Sequence, residues 1–180
     1  QKQTIVENFE YEPDEVINTG LPRWDVLKDK SQGKREILIM PTWRNWLDSV
    51  PDKDFEESDY FRHYMGLLNS ERLNQILEKY DLEVNFYLHA KFQEYADTFK
   101  SISKRIHLIS FGEVAVNEML MRCRMLITDY SSVCWDILYQ DKPSLFYQFD
   151  IEKYNEAHGS YIDMETELFG DRAATQEQLL

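Results

Sequence analysis

The sequence predicts an α/β fold, a Rossmann-like doubly wound parallel sheet. Three observations lead to the sheet. Apolar runs of strand length alternate with stretches of helical spacing about five times along the chain. The 180 residues fit one domain with a full core. No internal repeat or low-complexity segment offers a competing architecture. Right-handed crossovers then place helices on both faces.

The elements follow in chain order. The opening is irregular until Thr19-Gly20-Leu21-Pro22-Arg23-Trp24-Asp25, where Gly and Pro set a fixed turn and Arg23 and Asp25 can pair with each other. Glu36 to Met40 is a buried-strand run stopped by Pro41. A polar, Trp-rich loop follows from Thr42 to about Phe55, and the acidic stretch from Asp52 to Asp59 reads as solvated loop. Phe61, Met65, Leu68, Leu73, Ile76, Leu77 and Tyr80 have helical spacing, with Asn69-Ser70 capping a second helix. Strands are expected at Val84–Leu88, Ile106–Ile109, Met125–Thr128 and Pro143–Phe149. Helices are expected at 91–100, 113–122, Ser132 to Tyr139 and 150–157, with another starting after Thr175.

Bulk properties narrow the function. A formal net charge of −13 excludes nucleic acid and anionic membrane surfaces as partners of this domain. It does not exclude a nucleotide, because a small pocket can be locally positive. Cys123 and Cys134 have no metal-ligand spacing and fit a reducing compartment. No apolar run reaches the ~20 residues of a membrane span, and no signal peptide is visible. The chain starts at Gln1 without an initiator Met and stops at Leu180 inside a helical pattern, so it reads as a single excised domain, 1–180, that carries part of an active site.

In doubly wound sheets ligands sit beyond the C-terminal strand ends, and this ranks the candidates. The foremost is Ile127-Thr128-Asp129-Tyr130-Ser131-Ser132-Val133-Cys134-Trp135-Asp136, a buried strand running into two serines that open a helix. Such a terminus binds phosphate through free N–H groups and hydroxyls; the plainer alternative is an ordinary N-cap. His89 ends a central strand on the ligand edge, where a neutral imidazole can take a proton and a charged one can stabilise phosphate. A hydrogen-bonded structural histidine is the alternative there. His107 opens its strand on the opposite edge, and His63 falls in a surface helix. Arg44, after Pro41-Thr42-Trp43, can fork onto a diphosphate, while Trp43 and Trp46 read as packing. Asp136 can hold ribose hydroxyls or serve as a capping or solvated carboxylate. The backbone of Tyr147-Gln148-Phe149-Asp150 can face a base. Asp129 and Asp136 have no third ligand that would make a metal site.

Together these pieces resemble the CDP-glycerol glycerophosphotransferase family of teichoic acid synthesis. The resemblance is carried by Thr19-Gly20-Leu21-Pro22-Arg23-x-Asp25, Pro41-Thr42-Trp43-Arg44, His89, Leu126 to Val133, Asp136, Lys142-Pro143, Phe149-Asp150-x-x-x-Tyr154 and Gly159-x-Tyr161-x-Asp163, in that order. It implies a two-domain GT-B enzyme of which this is the C-terminal half. It implies a CDP-glycerol or CDP-ribitol donor, a polyol-phosphate acceptor reached through the other half, and release of CMP. Carried over by position, His89 is catalytic or touches the diphosphate, Ser131 and Ser132 hold phosphate, and Arg44 lies near it. No cofactor or metal is implied beyond the donor itself. The full-length protein would work in the cytoplasm at the inner face of the membrane. The family's usual His-Pro is His89-Ala90 here, which loosens that loop. Two alternatives remain: a GT-B sugar transferase using a nucleotide-sugar, and a non-enzymatic flavodoxin-like module.

Overall fold

A computed structural model describes residues 2–180. Its centre is a six-stranded parallel sheet in the order β3-β2-β1-β4-β5-β6. The strands are β1 (Glu36–Ile39), β2 (Glu83–Tyr87), β3 (Ile106–Ile109), β4 (Met125–Thr128), β5 (Ser144–Tyr147) and β6 (Asp171–Ala173). The helices are α1 (Lys2–Asn8), α2 (Asp52–Glu56), α3 (Asp59–Leu68), α4 (Glu71–Tyr80), α5 (Val116–Arg122), α6 (Cys134–Tyr139), α7 (Ile151–Ala157) and α8 (Gln176–Leu179). Short 3₁₀ segments lie at Pro22–Val26, Asn45–Leu47 and Ala90–Thr98. Among the described residues no helix is long and apolar enough to cross a membrane.

The strands are nearly continuous apolar runs because both sheet faces are covered. Ile37 and Ile39 point into one core with Tyr64 and Leu67 of α3, Leu73 and Leu77 of α4, and Phe92 and Tyr95 of the third 3₁₀ segment. Leu38 and Met40 point the other way, against Met119 and Leu120 of α5 and Ile137 of α6. Period-two alternation along β1 therefore serves two cores at once. The paired helices α3 and α4 start where the sequence puts caps: Ser58 Oγ accepts from Phe61 N–H and Ser70 Oγ from Leu73 N–H.

Two expectations change. The acidic 52–59 stretch is not loop: Asp52–Glu56 forms α2, with acidic residues in its first turn and Phe55 fully buried beneath it. The sheet also gains β6, whose sequence Asp-Arg-Ala carries no apolar run.

Candidate functional site

The chain winds one way from β1 through β2 to β3, then crosses to the far side of β1 and winds the other way. The strand order therefore reverses between β1 and β4, and a crevice opens beyond their C-terminal ends. Residues 40–44 leave β1 and residues 129–132 leave β4 at this point.

Arg44 locks the crevice floor. Its side chain is fully buried. The Nε and Nη2 atoms fork onto Asp150 at 2.8 and 3.0 Å, Nη2 lies 2.9 Å from Asp129, and Nη1 donates to the Thr42 carbonyl at 2.6 Å. Asp129 also accepts from the N–H groups of Thr42 (2.8 Å) and Tyr130 (2.6 Å) and from the Tyr64 hydroxyl (3.2 Å). The rings of Tyr130 and Tyr60 lie 4.9 and 5.2 Å from the guanidinium carbon. Burial opposes the charge on Arg44, but Asp129 and Asp150 outweigh it and hold its pKa well above the ordinary value. Removing one partner from such a buried group leaves uncompensated charge, at a cost of about 3–5 kcal/mol.

Beside this cluster lies a cavity of about 850 Å³, within the usual range for small-molecule sites. Asp129, Tyr130, Ser131 and Ser132 form its floor; Thr19, Gly20 and Leu21 form one side, and Ser160, Tyr161 and Ile162 another. Lys2, Ile5 and Phe9 of the N-terminal segment lean over it. Gly20 makes the turn possible, since its φ of +79° is one that side chains disfavour. The first residue before α6 is Val133, with no side-chain cap. Ser131 Oγ accepts only a long 3.5 Å bond from Val133 N–H, and Ser132 is exposed. The N–H groups of Cys134, Trp135 and Asp136 turn back onto the carbonyls of Ser131, Ser132 and Val133. The donors left for a ligand are therefore the two serines, not the end of α6. Cys134 also lines the cavity, but burial pushes its thiol up to about 12, so it stays protonated.

His89 stands two residues beyond β2, on the same sheet edge. Its Nδ1 accepts the Lys91 N–H at 3.2 Å. In the neutral ring this places the proton on Nε2. Burial, and then Lys91, lowers the His89 pKa below the ordinary imidazole value. Its ring stacks on Trp43 at 6.1 Å. A second histidine, His158, meets Trp43 edge-on at 5.8 Å, and its Nε2 accepts the Asn45 N–H at 3.4 Å. Burial, then Arg44, lowers its pKa as well. Among the described residues no three His, Cys, Asp or Glu side chains gather as a metal-ligand set.

Several residues sit elsewhere than the sequence suggested. The Arg44 guanidinium, expected to reach a diphosphate, is occupied by Asp129 and Asp150 beneath the crevice. Asp136, expected to hold ribose, accepts from Arg23 Nε and Trp24 Nε1 at 2.7 Å each and ties the N-terminal turn to α6. Arg23 thus pairs with Asp136 and not with Asp25. His63 is half-buried on α3, where it stacks on Phe149 at 4.0 Å and shares a 2.8 Å bond with Tyr147. His107 lies on β3, away from the crevice, 3.4 Å from Glu83. His158 was missed as a site residue, and Asp150 was expected to offer its backbone to a base, not its carboxylate to Arg44. Asp150 alone carried a signal, since it follows a strand on the ligand edge. Lys142 caps the carbonyls of Leu120 and Met121 at 2.9 and 2.7 Å, a structural duty.

Comparison with known proteins follows from this geometry. The sequence profile of the family described as CDP-glycerol:poly(glycerophosphate) glycerophosphotransferase matches residues 1–180. The chain is 32% identical over 177 residues to the minor teichoic acid biosynthesis protein GgaB of Bacillus subtilis (strain 168), covering 91% of this chain and 19% of that protein. It is 26% identical over 192 residues to a teichoic acid glycerol-phosphate transferase of Staphylococcus aureus (strain NCTC 8325 / PS 47), covering 96% of this chain and 45% of that protein. Among solved structures, the wall teichoic acid polymerase TagF superposes with a TM-score of 0.71 at 21% identity, covering 99% of this chain and 45% of that one. The likeness to TagF establishes the fold. The chain spans between about a fifth and a little under half of the length of these relatives.

Proposed function

The chain belongs to the CDP-glycerol:poly(glycerophosphate) glycerophosphotransferase family, and from that membership we propose that it is the donor-binding part of a transferase. The enzyme moves glycerol or ribitol phosphate from a CDP-alditol to a polymer hydroxyl and releases CMP. One observation supports this above the others: the cavity beside the β1–β4 reversal is floored by two serines whose donors have almost no protein partner.

In this reading the donor diphosphate lies on the hydroxyls and N–H groups of Ser131 and Ser132, and the nucleoside on the apolar wall. His89 donates its Nε2–H to a phosphate oxygen. That nitrogen has no lone pair to offer, so the base belongs to another part of the full-length protein. The acceptor oxygen bonds to the donor's β-phosphorus, the bond from that phosphorus to the bridging oxygen breaks, and the hydroxyl proton passes to the base. The protein's share is orientation and charge stabilisation. Arg44 acts as a positioning residue, because it fixes Asp129 and so the turn that carries the serines. The reaction belongs at the inner face of the membrane and calls for no cofactor beyond the donor.

The test is a pair of variants, Ser131→Ala and Ser132→Ala, measured for CDP dissociation constant and for melting temperature without ligand. A hydrogen bond to a charged group contributes about 1.5–3 kcal/mol, so CDP affinity should fall roughly ten- to a hundredfold. If melting drops and CDP affinity holds in both variants, the serines are helix caps and the donor lies elsewhere.

A further inference from the structure

The same sheet edge carries a second surface, which adjoins the proposed donor site where the His89 ring stacks on Trp43. Trp43 and Trp46 follow β1, and both are partly buried against the core, so their rings are held in place. Each carries a lysine: Lys91 Nζ lies 5.4 Å from the Trp43 ring centroid and Lys153 Nζ 4.8 Å from that of Trp46. His158 joins the two indoles, edge-on to Trp43 at 5.8 Å and tilted to Trp46 at 6.1 Å. Three separate stretches, after β1, after β2 and on α7, converge to build this ledge. Lys153 and His158 are exposed, and the Lys91 side chain is 54% exposed. Lys91 also pairs with Asp48 at 3.3 Å, while among the described residues Lys153 has no carboxylate within 4.0 Å.

The chemistry is repetitive. An ammonium beside an indole face recurs, and each pair suits a ligand that alternates a phosphodiester with a CH-rich polyol. The phosphodiester oxygen meets the ammonium, and the polyol backbone lies on the ring. A nucleotide would use one such pair and leave the other idle. Paired cations on a chain of net charge −13 also mark a local exception to its surface field. We propose that this ledge binds consecutive repeats of an alditol-phosphate polymer, and so holds the acceptor against the donor site from this part of the protein. The assignment rests on the transferase reading but involves neither Ser131 nor Ser132.

The experiment titrates the chain with a short oligo(glycerol phosphate), with the matching oligo(ribitol phosphate), and with linear polyphosphate of equal charge, with CDP measured in parallel. Either polyol chain should bind, polyphosphate should bind more weakly, and the two polyol chains show which repeat is preferred. The double variant Lys91→Gln/Lys153→Gln should weaken the polyol chain about tenfold, as two exposed charge contacts are lost, and Lys153→Gln alone should weaken it less and leave CDP unchanged. Trp46→Ala should weaken polyol chains more than polyphosphate. Absence of binding, binding that ignores the lysine pair, or equal affinity for polyphosphate overturns the ledge. Loss of CDP binding with the polymer still bound counts against the donor reading alone.

Discussion

His89 has one lone pair and one proton to offer, and the Lys91 N–H has taken the lone pair at 3.2 Å. Protonation would turn that acceptor into a donor facing another donor, which acts in the same direction as the burial that lowers its pKa. The folded ring therefore binds a proton less readily than the unfolded one, whose pKa is about 6.5. Between the lowered value and 6.5 the unfolded chain carries more protons, so this histidine's contribution to stability falls as pH drops through that window. His158 and His63, both lowered mainly by burial, act in the same sense. In ¹⁵N spectra at neutral pH, His89 should show the Nε2–H tautomer and titrate below 6.5. An Nδ1–H ring would remove it as a donor to phosphate, and a midpoint above 6.5 would show that neither burial nor the Lys91 contact governs its titration. The position of His89 at the ligand edge was legible, because it ends an apolar run on a central strand. Its tautomer was not, since a backbone N–H of the following turn sets it.

At the scale of elements, β6 shows what a sequence pattern leaves out. Asp171–Ala173 has neither alternation nor an apolar run, yet it pairs with Leu145, Phe146 and Tyr147 of β5. Gly170 allows the approach: a Cβ there would lie 2.1 Å from the Ser144 carbonyl oxygen, a backbone atom that cannot step aside without moving β5. Gly170→Ala should therefore destabilise by about 1–3 kcal/mol, as overpacking does. Gly66 is the contrast. It lies inside α3, where an added Cβ would meet only the flexible end of Gln176 at 3.4 Å. Gly66→Ala should stabilise by about 0.5–1 kcal/mol. Urea midpoints of the two variants decide it, and shifts of the same sign would show that the close approach at Gly170 has no energetic weight. Strands β1, β2, β4 and β5 were legible because both their faces are largely buried, and β3 was legible from its apolar residues although His107 and Leu108 are exposed. The 52–59 stretch misled because its charges hide one residue, Phe55, that is entirely buried. The Arg44 partners were out of reach because Asp150 lies 106 residues away, and only the folded sheet brings it to the guanidinium.

For the whole molecule the question is how a chain of net charge −13 holds an anionic ligand. The long-range field repels a nucleotide, and salt screens that repulsion over roughly 10 Å. What remains is local: two serines and a largely apolar wall in a cavity of about 850 Å³, with the His89 Nε2–H outside that lining on the same sheet edge. A wall of that kind favours a base by contact area and tells one base from another only through hydrogen bonds. Cytosine and uracil differ in one exocyclic group, a donor in one and an acceptor in the other, and a site built for either leaves a polar group unpaired with the wrong base. The donor proposed above carries cytidine. CDP at about 100 times its dissociation constant should stabilise the chain by about 2.7 kcal/mol. For a domain of this size that is a rise in melting temperature of about 5–10 °C. UDP, ADP and GDP at the same concentration should give less. Added salt should weaken CDP binding only slightly, because screening the short-range contacts and screening the overall repulsion act in opposite directions. A larger shift with UDP than with CDP would transfer the site to nucleotide-sugar chemistry, since nothing but the base distinguishes the two ligands at the diphosphate.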